Sequence, residues 1–252
     1  MKKEVEINGE KVTLNIFDGY VNSWDSWLEL KGRGGYDGIS KGFSCRSERL
    51  TSLEGGPIYV GGDFNCTINC LTSLKGCPQY VGGDFLCREN NLRSLEHCPE
   101  IVGKNFDCSL NNLMSLKYCP KFAGGFFNCE FNHLKSLKHS PEVINKFFDC
   151  GNNDLISLKY CPKVVYGYFS CEENNLIDLK YCPKEVSGCF YADGNPLISK
   201  DIVCMDYEDF LCPNDEEIAR NLEEYNKIKE ESLLLKDVIG SSGSDKKKII
   251  RI

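Results

Sequence analysis

The chain has 252 residues, a formal net charge of −7 and 16 cysteines, with 41% hydrophobic and 27% charged residues. That length holds one or two domains, and the composition is that of an ordinary globular protein with no apolar run near the length of a bilayer span. The acidic balance argues against a general nucleic-acid binder, which shows a basic excess, and the start, MKKEVEINGEK, lacks the apolar segment of a secretory signal.

The stretch KEVEINGEKVTLNIF consists of two alternating runs joined by Asn8-Gly9, which predicts a β-hairpin. Residues 20–30, YVNSWDSWLEL, hold both tryptophans, Trp24 and Trp27. They read either as an aromatic anchor for a partner or, preferably, as a plug over the open end of the repeat array that begins beyond residue 35. Residues 1–35 are therefore expected to form an N-terminal cap.

From Leu50 a 21-residue unit is written seven times, with copies starting at Leu50, Leu71, Leu92, Leu113, Leu134, Leu155 and Leu176. A degenerate half-copy with Ile39, Phe43 and Cys45 precedes them. Each copy reads L-x-S-L-x-x-C-P-x-x-V-x-x-x-F-x-C-x-x-N-x. A fixed short period means a solenoid whose units bury their apolar sides only against their neighbours. The expected solenoid covers residues 36–200. Within a copy, alternation around Phe and Cys predicts a half-buried strand, with Phe85 and Cys87 inward and Asp84, Leu86 and Arg88 outward. The Asn three residues beyond that Cys, from Asn69 to Asn195, is suited to bond backbone groups of adjacent turns. Cys-Pro ends the returning arm, and pairs such as Gly82-Gly83 permit a tight re-entry.

The cysteines fall in columns. Seven occupy the F-x-C position, from Cys45 to Cys171, and five precede the repeat proline: Cys77, Cys98, Cys119, Cys161 and Cys182. They are expected to be core thiols. Disulfides and metal are the competing readings, but no C-x-x-C pair occurs and the three histidines are not at zinc-ligand spacing. Free thiols in this number point to a reducing cytoplasm, and no cofactor or metal is expected.

Beyond the repeats, Pro213 and Asn214 precede an expected cap helix from Asp215 to Val238, with Ile218, Leu222, Tyr225 and Ile228 on one stripe. A short basic tail starts at Lys246. Residues 201–252 are read as this C-terminal cap and tail.

The segment from Phe85 to Leu92, FLCRENNL, resembles the end of the leucine-rich repeat motif L-x-x-L-x-L-x-x-N-x-L, with Phe and Cys in two leucine positions. The arm L-x-S-L-x-x-C-P resembles the Pro-containing arm of the short bacterial leucine-rich repeats, with one extra residue between Val and Phe. The wording LTSLEGGPIYVGGDFNC is similar to repeat proteins found in many bacteriophage genomes. The resemblance implies an α/β solenoid, right-handed, with a parallel concave sheet and loops or 3₁₀ turns on the convex side. Eight strands at ~4.8 Å make a sheet roughly 35–40 Å long.

Two surface columns stand out. The position before Phe reads Phe126, Phe147, Tyr168 in three consecutive copies, with Tyr191 and Phe131 in neighbouring columns. Asp107, Glu130, Asp149 and Glu172 surround them. An apolar centre with a charged rim is the anatomy of a protein-binding hot spot, whereas a one-residue register shift would turn the rings into core. The second column, Lys117, Lys138, Lys159 and Lys180, is interleaved with Tyr and His on the returning arm, which suits either a phosphate backbone or a solvated edge. His97, His133 and His139 occupy different positions with no Cys or Ser partner, and no enzyme is expected. The expected function is non-enzymatic protein recognition on the concave face in the bacterial host cytoplasm. The phage-like wording suggests a counter-defence inhibitor of a host effector such as an RNA-guided nuclease. Nucleic-acid binding by the lysine edge and a structural or assembly role are the alternatives.

Overall fold

The structure, a computed structural model, describes residues 1–7 and 10–196. The hairpin turn Asn8-Gly9, the expected cap helix over 215–238, the basic tail, Cys204 and Cys212 lie outside the described residues. What is described is a parallel β-solenoid of about eight turns with a period of 21 residues.

Each coil contributes two parallel strands of two residues, separated by a bend, and then returns through turns and bends. The strands that hold the F-x-C motif run from Phe43–Ser44 to Phe190–Tyr191 and make one eight-stranded sheet. They pair in step, Phe64 with Phe85 and Phe106 with Phe127, so every coil keeps one register. The strands that hold the repeat Val begin with Gly38–Ile39 and reach Phe122–Ala123 in a seven-stranded sheet that includes the N-terminal hairpin. Val143–Ile144, Val164–Val165 and Glu185–Val186 make a separate three-stranded sheet. The expected single strand per copy is thus two. The residues between the repeat Val and Phe lie in the corner between the two strands. Gly61 and Gly82 stand at that corner, where a Cβ would overlap the Ser40 and Gly61 carbonyl oxygens of the preceding coil. Among the described residues the repeats contain no helix, so the α/β description gives way to a β architecture.

The core obeys the alternation. Phe64, Phe85, Phe106, Phe127, Phe148 and Phe169 are fully buried, as are Cys66 through Cys171 of the F-x-C column and the paired leucines of the arms from Leu71 to Leu158. Neighbouring Phe rings lie 4.9 to 5.8 Å apart. Burial of each ring contributes about 2–3 kcal/mol. The buried thiols donate to the carbonyl of the next coil, as Cys150 Sγ does to Ser170 O at 3.1 Å.

The Asn column supplies the polar seam. Asn132 Nδ2 donates to the carbonyls of Cys108, Cys129 and Glu130 at 3.1, 3.2 and 3.1 Å, and its Oδ1 accepts Leu113 N–H at 2.9 Å. The pattern repeats from Asn69 to Asn195, and every buried side-chain polar atom among the described residues has a partner.

The N-terminal segment combines strands and a helix. Strand β1 (Lys2–Ile7) pairs antiparallel with β2 (Glu10–Phe17), and β2 adds in parallel to Gly38–Ile39. Helix α1 (Trp24–Gly34) starts at Ser23, whose side chain accepts Ser26 N–H, and stops at Gly35 in the left-handed region. Its buried side is Trp24 and Trp27, which lie 5.9 and 6.3 Å from the Phe43 ring. Trp27 Nε1 donates to Gly55 O at 2.9 Å. Both indoles thus pack on Phe43, in the first strand of the eight-stranded sheet. No helix among the described residues is long and apolar enough to cross a membrane.

Candidate functional site

The outer face of the eight-stranded sheet is built from residues that flank the inward Phe and Cys. In the position before Phe, side chains of the early coils bond the backbone of the next coil. Asp63 Oδ1 accepts Asp84 N–H, Asp84 Oδ1 accepts Asn105 N–H, and Asn105 Oδ1 accepts Phe126 N–H, at 2.9 to 3.1 Å. At Phe126 the column changes chemistry. Phe126 and Phe147 stack at 4.3 Å with planes 12° apart, Phe147 and Tyr168 at 4.4 Å and 6°, and Tyr191 meets Tyr168 edge-on at 5.8 Å. All four are half-buried, while their neighbours Phe127, Phe148 and Phe169 are core. The rings are therefore a surface ladder, and the register shift that would have buried them does not occur. Phe131 is exposed in a separate column, with φ of +49°.

The carboxylates are less uniform than a solvated rim. Asp107 is buried, and its Oδ1 accepts the Ser109 hydroxyl at 2.6 Å and the Ser109 N–H at 3.0 Å. Burial raises its pKa against these bonds and the nearby Arg88. It is a structural acceptor of this face and not an exposed rim charge, because an outward position in a strand is also shielded by side chains two residues away. Asp149 is half-buried and accepts Gly151 N–H at 2.9 Å. Burial pushes its pKa up to about 6, and the Glu130 and Glu172 carboxylates of the coils on either side add to the rise. The Tyr168 hydroxyl is pushed up to about 12 by burial and then by Asp149 and Glu130. Glu172 accepts the Ser170 hydroxyl at 3.3 Å. Asp149, Glu130, Glu172 and Tyr168 thus share one electrostatic patch.

Sequence reasoning missed the other end of this face. A recess of about 310 Å³ is lined by Arg46, Arg88, Asp84, Asp107 and Phe126, among others. Here the arginines of the first coils stand among the carboxylates Asp84, Glu89 and Asp107. The signal was present in the position after Cys, which reads Arg46, Thr67, Arg88, Ser109, Glu130.

The lysine edge stands where the arm predicts. Lys117, Lys138, Lys159 and Lys180 are exposed, and three of them lie over the next residue, a Tyr, at 4.6, 5.0 and 5.1 Å from the ring centre. The structure does not bring this edge together with the aromatic ladder as one site. The fourteen described cysteines are free thiols. Burial is the chief cause that raises Cys45, Cys77 and Cys119 to about 12. Among the described residues no group of three His, Cys, Asp or Glu side chains is placed to hold a metal ion. No protein-family model matches the chain, and neither does any curated protein or solved structure.

Proposed function

We propose that this protein is a non-enzymatic recognition module that binds a partner protein on the outer face of the eight-stranded sheet. The observation that carries the reading is the surface stack of Phe126, Phe147 and Tyr168 beside Glu130, Asp149 and Glu172. Rigid aromatic rings supply contact area at low entropic cost, and flanking carboxylates fix register and choose a cationic partner. Tyr191 and Phe131 extend the apolar area at its margin.

We read the repeat as a leucine-rich repeat of the short bacterial and bacteriophage type, on the strength of its L-x-S-L-x-x-C-P arm and F-x-C-x-x-N strand. That kinship supports a phage-encoded factor acting in the bacterial cytoplasm, as an inhibitor of a host defence effector such as an RNA-guided nuclease. The acidic patch complements the basic groove in which such an enzyme holds nucleic acid.

The test is affinity capture from nuclease-treated bacterial host lysate, and then titration of the captured protein. Phe147→Ala/Tyr168→Ala is expected to weaken binding at least about 30-fold, the effect of losing a hot spot. A folded double variant with undiminished affinity overturns the assignment of the face.

A further inference from the structure

The returning arm carries a surface that partner recognition by the sheet does not use. Its outward positions lie beside the two core leucines of each coil, and the coils are held in step by backbone bonds such as His133 N–H to Leu113 O at 2.9 Å. Three features coincide there.

Large aliphatic side chains are left in solvent. Met114, Ile156 and Ile177 occupy one column and are 64, 65 and 62% exposed. The same column reads Arg93 and Lys135 in two other coils.

Bulky residues hold a left-handed backbone at one turn of this arm. Tyr118, Tyr160 and Tyr181 have φ of +70, +73 and +68° and are about half exposed. The first coils fill this position with Gly55 and Gly76 at φ of +89 and +87°. The fold requires the turned-in carbonyl: Cys161 Sγ donates to Tyr181 O at 3.0 Å, and the Ser140 hydroxyl donates to Tyr160 O at 2.8 Å. Glycine presents that carbonyl at lower cost. Strain kept where glycine serves points to a role for the side chain.

Finally, Lys117, Lys138, Lys159 and Lys180 form no ion pair with a carboxylate among the described residues. On the neighbouring column, Lys121 and Lys163 are paired at 2.6 Å to Glu100 and Glu142. Asp178, an exposed acid of the same coil, accepts Lys180 N–H at 2.9 Å.

We infer that this arm is a peripheral membrane-binding edge that lays Ile156, Ile177, Tyr160 and Tyr181 into the headgroup layer of an anionic phospholipid bilayer, with Lys159 and Lys180 on its phosphates. Tyrosine belongs at that depth because its ring is apolar and its hydroxyl wet. Lysine extends its charge from the apolar surface to the phosphates. Exposed aliphatic residues favour a bilayer over a nucleic acid, since a sugar–phosphate backbone gives an isoleucine nothing to enter. A bilayer buries apolar area and meets positive charge in the same plane.

The experiment is co-sedimentation of the full chain with phosphatidylcholine vesicles, with and without about a third phosphatidylglycerol. Binding is expected only with the anionic lipid. It should fall at least about tenfold in Ile156→Ser/Ile177→Ser and in Lys159→Glu/Lys180→Glu, a change of ~1.4 kcal/mol. Both pairs are exposed, and unchanged thermal melting shows that they fold. Phe147→Ala/Tyr168→Ala lies on the sheet face and should leave vesicle binding intact, which keeps this inference separate from the proposed partner site. Failure to sediment with anionic vesicles overturns it, as does indifference to the isoleucine substitutions. So does single-stranded nucleic acid bound through Lys159 and Lys180 while vesicles leave the protein in solution.

Discussion

Phe126 and Phe127 are adjacent in the chain and belong to opposite sides of the same sheet: Phe127 is fully buried, whereas Phe126 stacks on Phe147 at 4.3 Å over the outer face. Truncation should separate them. Phe127→Ala opens a cavity between two coils and is expected to lower stability by about 4 kcal/mol in urea denaturation. Phe126→Ala removes one ring stack and should cost about 1 kcal/mol. Equal losses at the two positions would show that the outer rings are core.

The Asn seam gives a second expectation. Asn132→Ala takes from the buried Leu113 N–H the side-chain oxygen it bonds, while the Cys108, Cys129 and Glu130 carbonyls keep bonds from Asn111, Asn153 and Leu110 N–H. Desolvated groups of this kind cost about 1–3 kcal/mol each when left unmade. A loss of about 1–3 kcal/mol is expected from the denaturation midpoint, and a loss below about 0.5 kcal/mol would show that water replaces the amide.

Asp149 makes stability depend on pH. Its carboxyl titrates near 3.8 when unfolded and at about 6 when folded. The folded chain therefore binds the extra proton across that window, and stability falls as pH rises through it. The shift corresponds to up to about 3 kcal/mol. Asp149→Asn is expected to be more stable than the parent at pH 7 and to lose most of this slope, read as the difference in urea midpoint between about pH 4 and pH 7. A parent that gains stability through the same window, relative to the variant, contradicts the assignment.

The thiols should divide by column. Cys70 and Cys182 are exposed, while the F-x-C cysteines from Cys45 to Cys171 are buried. Reactivity needs both thiolate and access. A brief iodoacetamide pulse on the native protein, mapped by peptide mass spectrometry, should label Cys70 and Cys182 and spare that column until denaturant is added.

Tyr160→Gly tests whether the strained turn serves the fold. With φ of +73° at Tyr160, glycine relieves about 1–2 kcal/mol of left-handed strain against an entropic cost near 1 kcal/mol. Thermal melting is expected to stay level or rise. A marked drop would mean that the Tyr160 ring itself holds the coils together.

Period and alternation are legible in the sequence because each coil repeats the same burial pattern, so one line of residues sets Phe85 and Cys87 inward and Arg88 outward. The second strand of each coil is not legible. Strands of two residues, such as Tyr59–Val60, are too short to show alternation, and Gly61-Gly62 reads as a loop until the neighbouring carbonyls define a corner. Asp107 reads as a rim charge in sequence because its shielding comes from residues of adjacent coils and from Ser109, which a single column does not display. The arginine end of the face and the exposed Ile156 and Ile177 need only a further column to be read, but their significance depends on which coil positions face solvent.

Each Asn of the ladder ties its own coil to the one before it, so the molecule is fastened like stitches in a row. A mechanical load applied at the later coils should undo one stitch at a time, releasing 21 residues, or about 70 Å of slack, per event. The run should halt at the first coil, where Trp24 and Trp27 of α1 are wedged over Phe43.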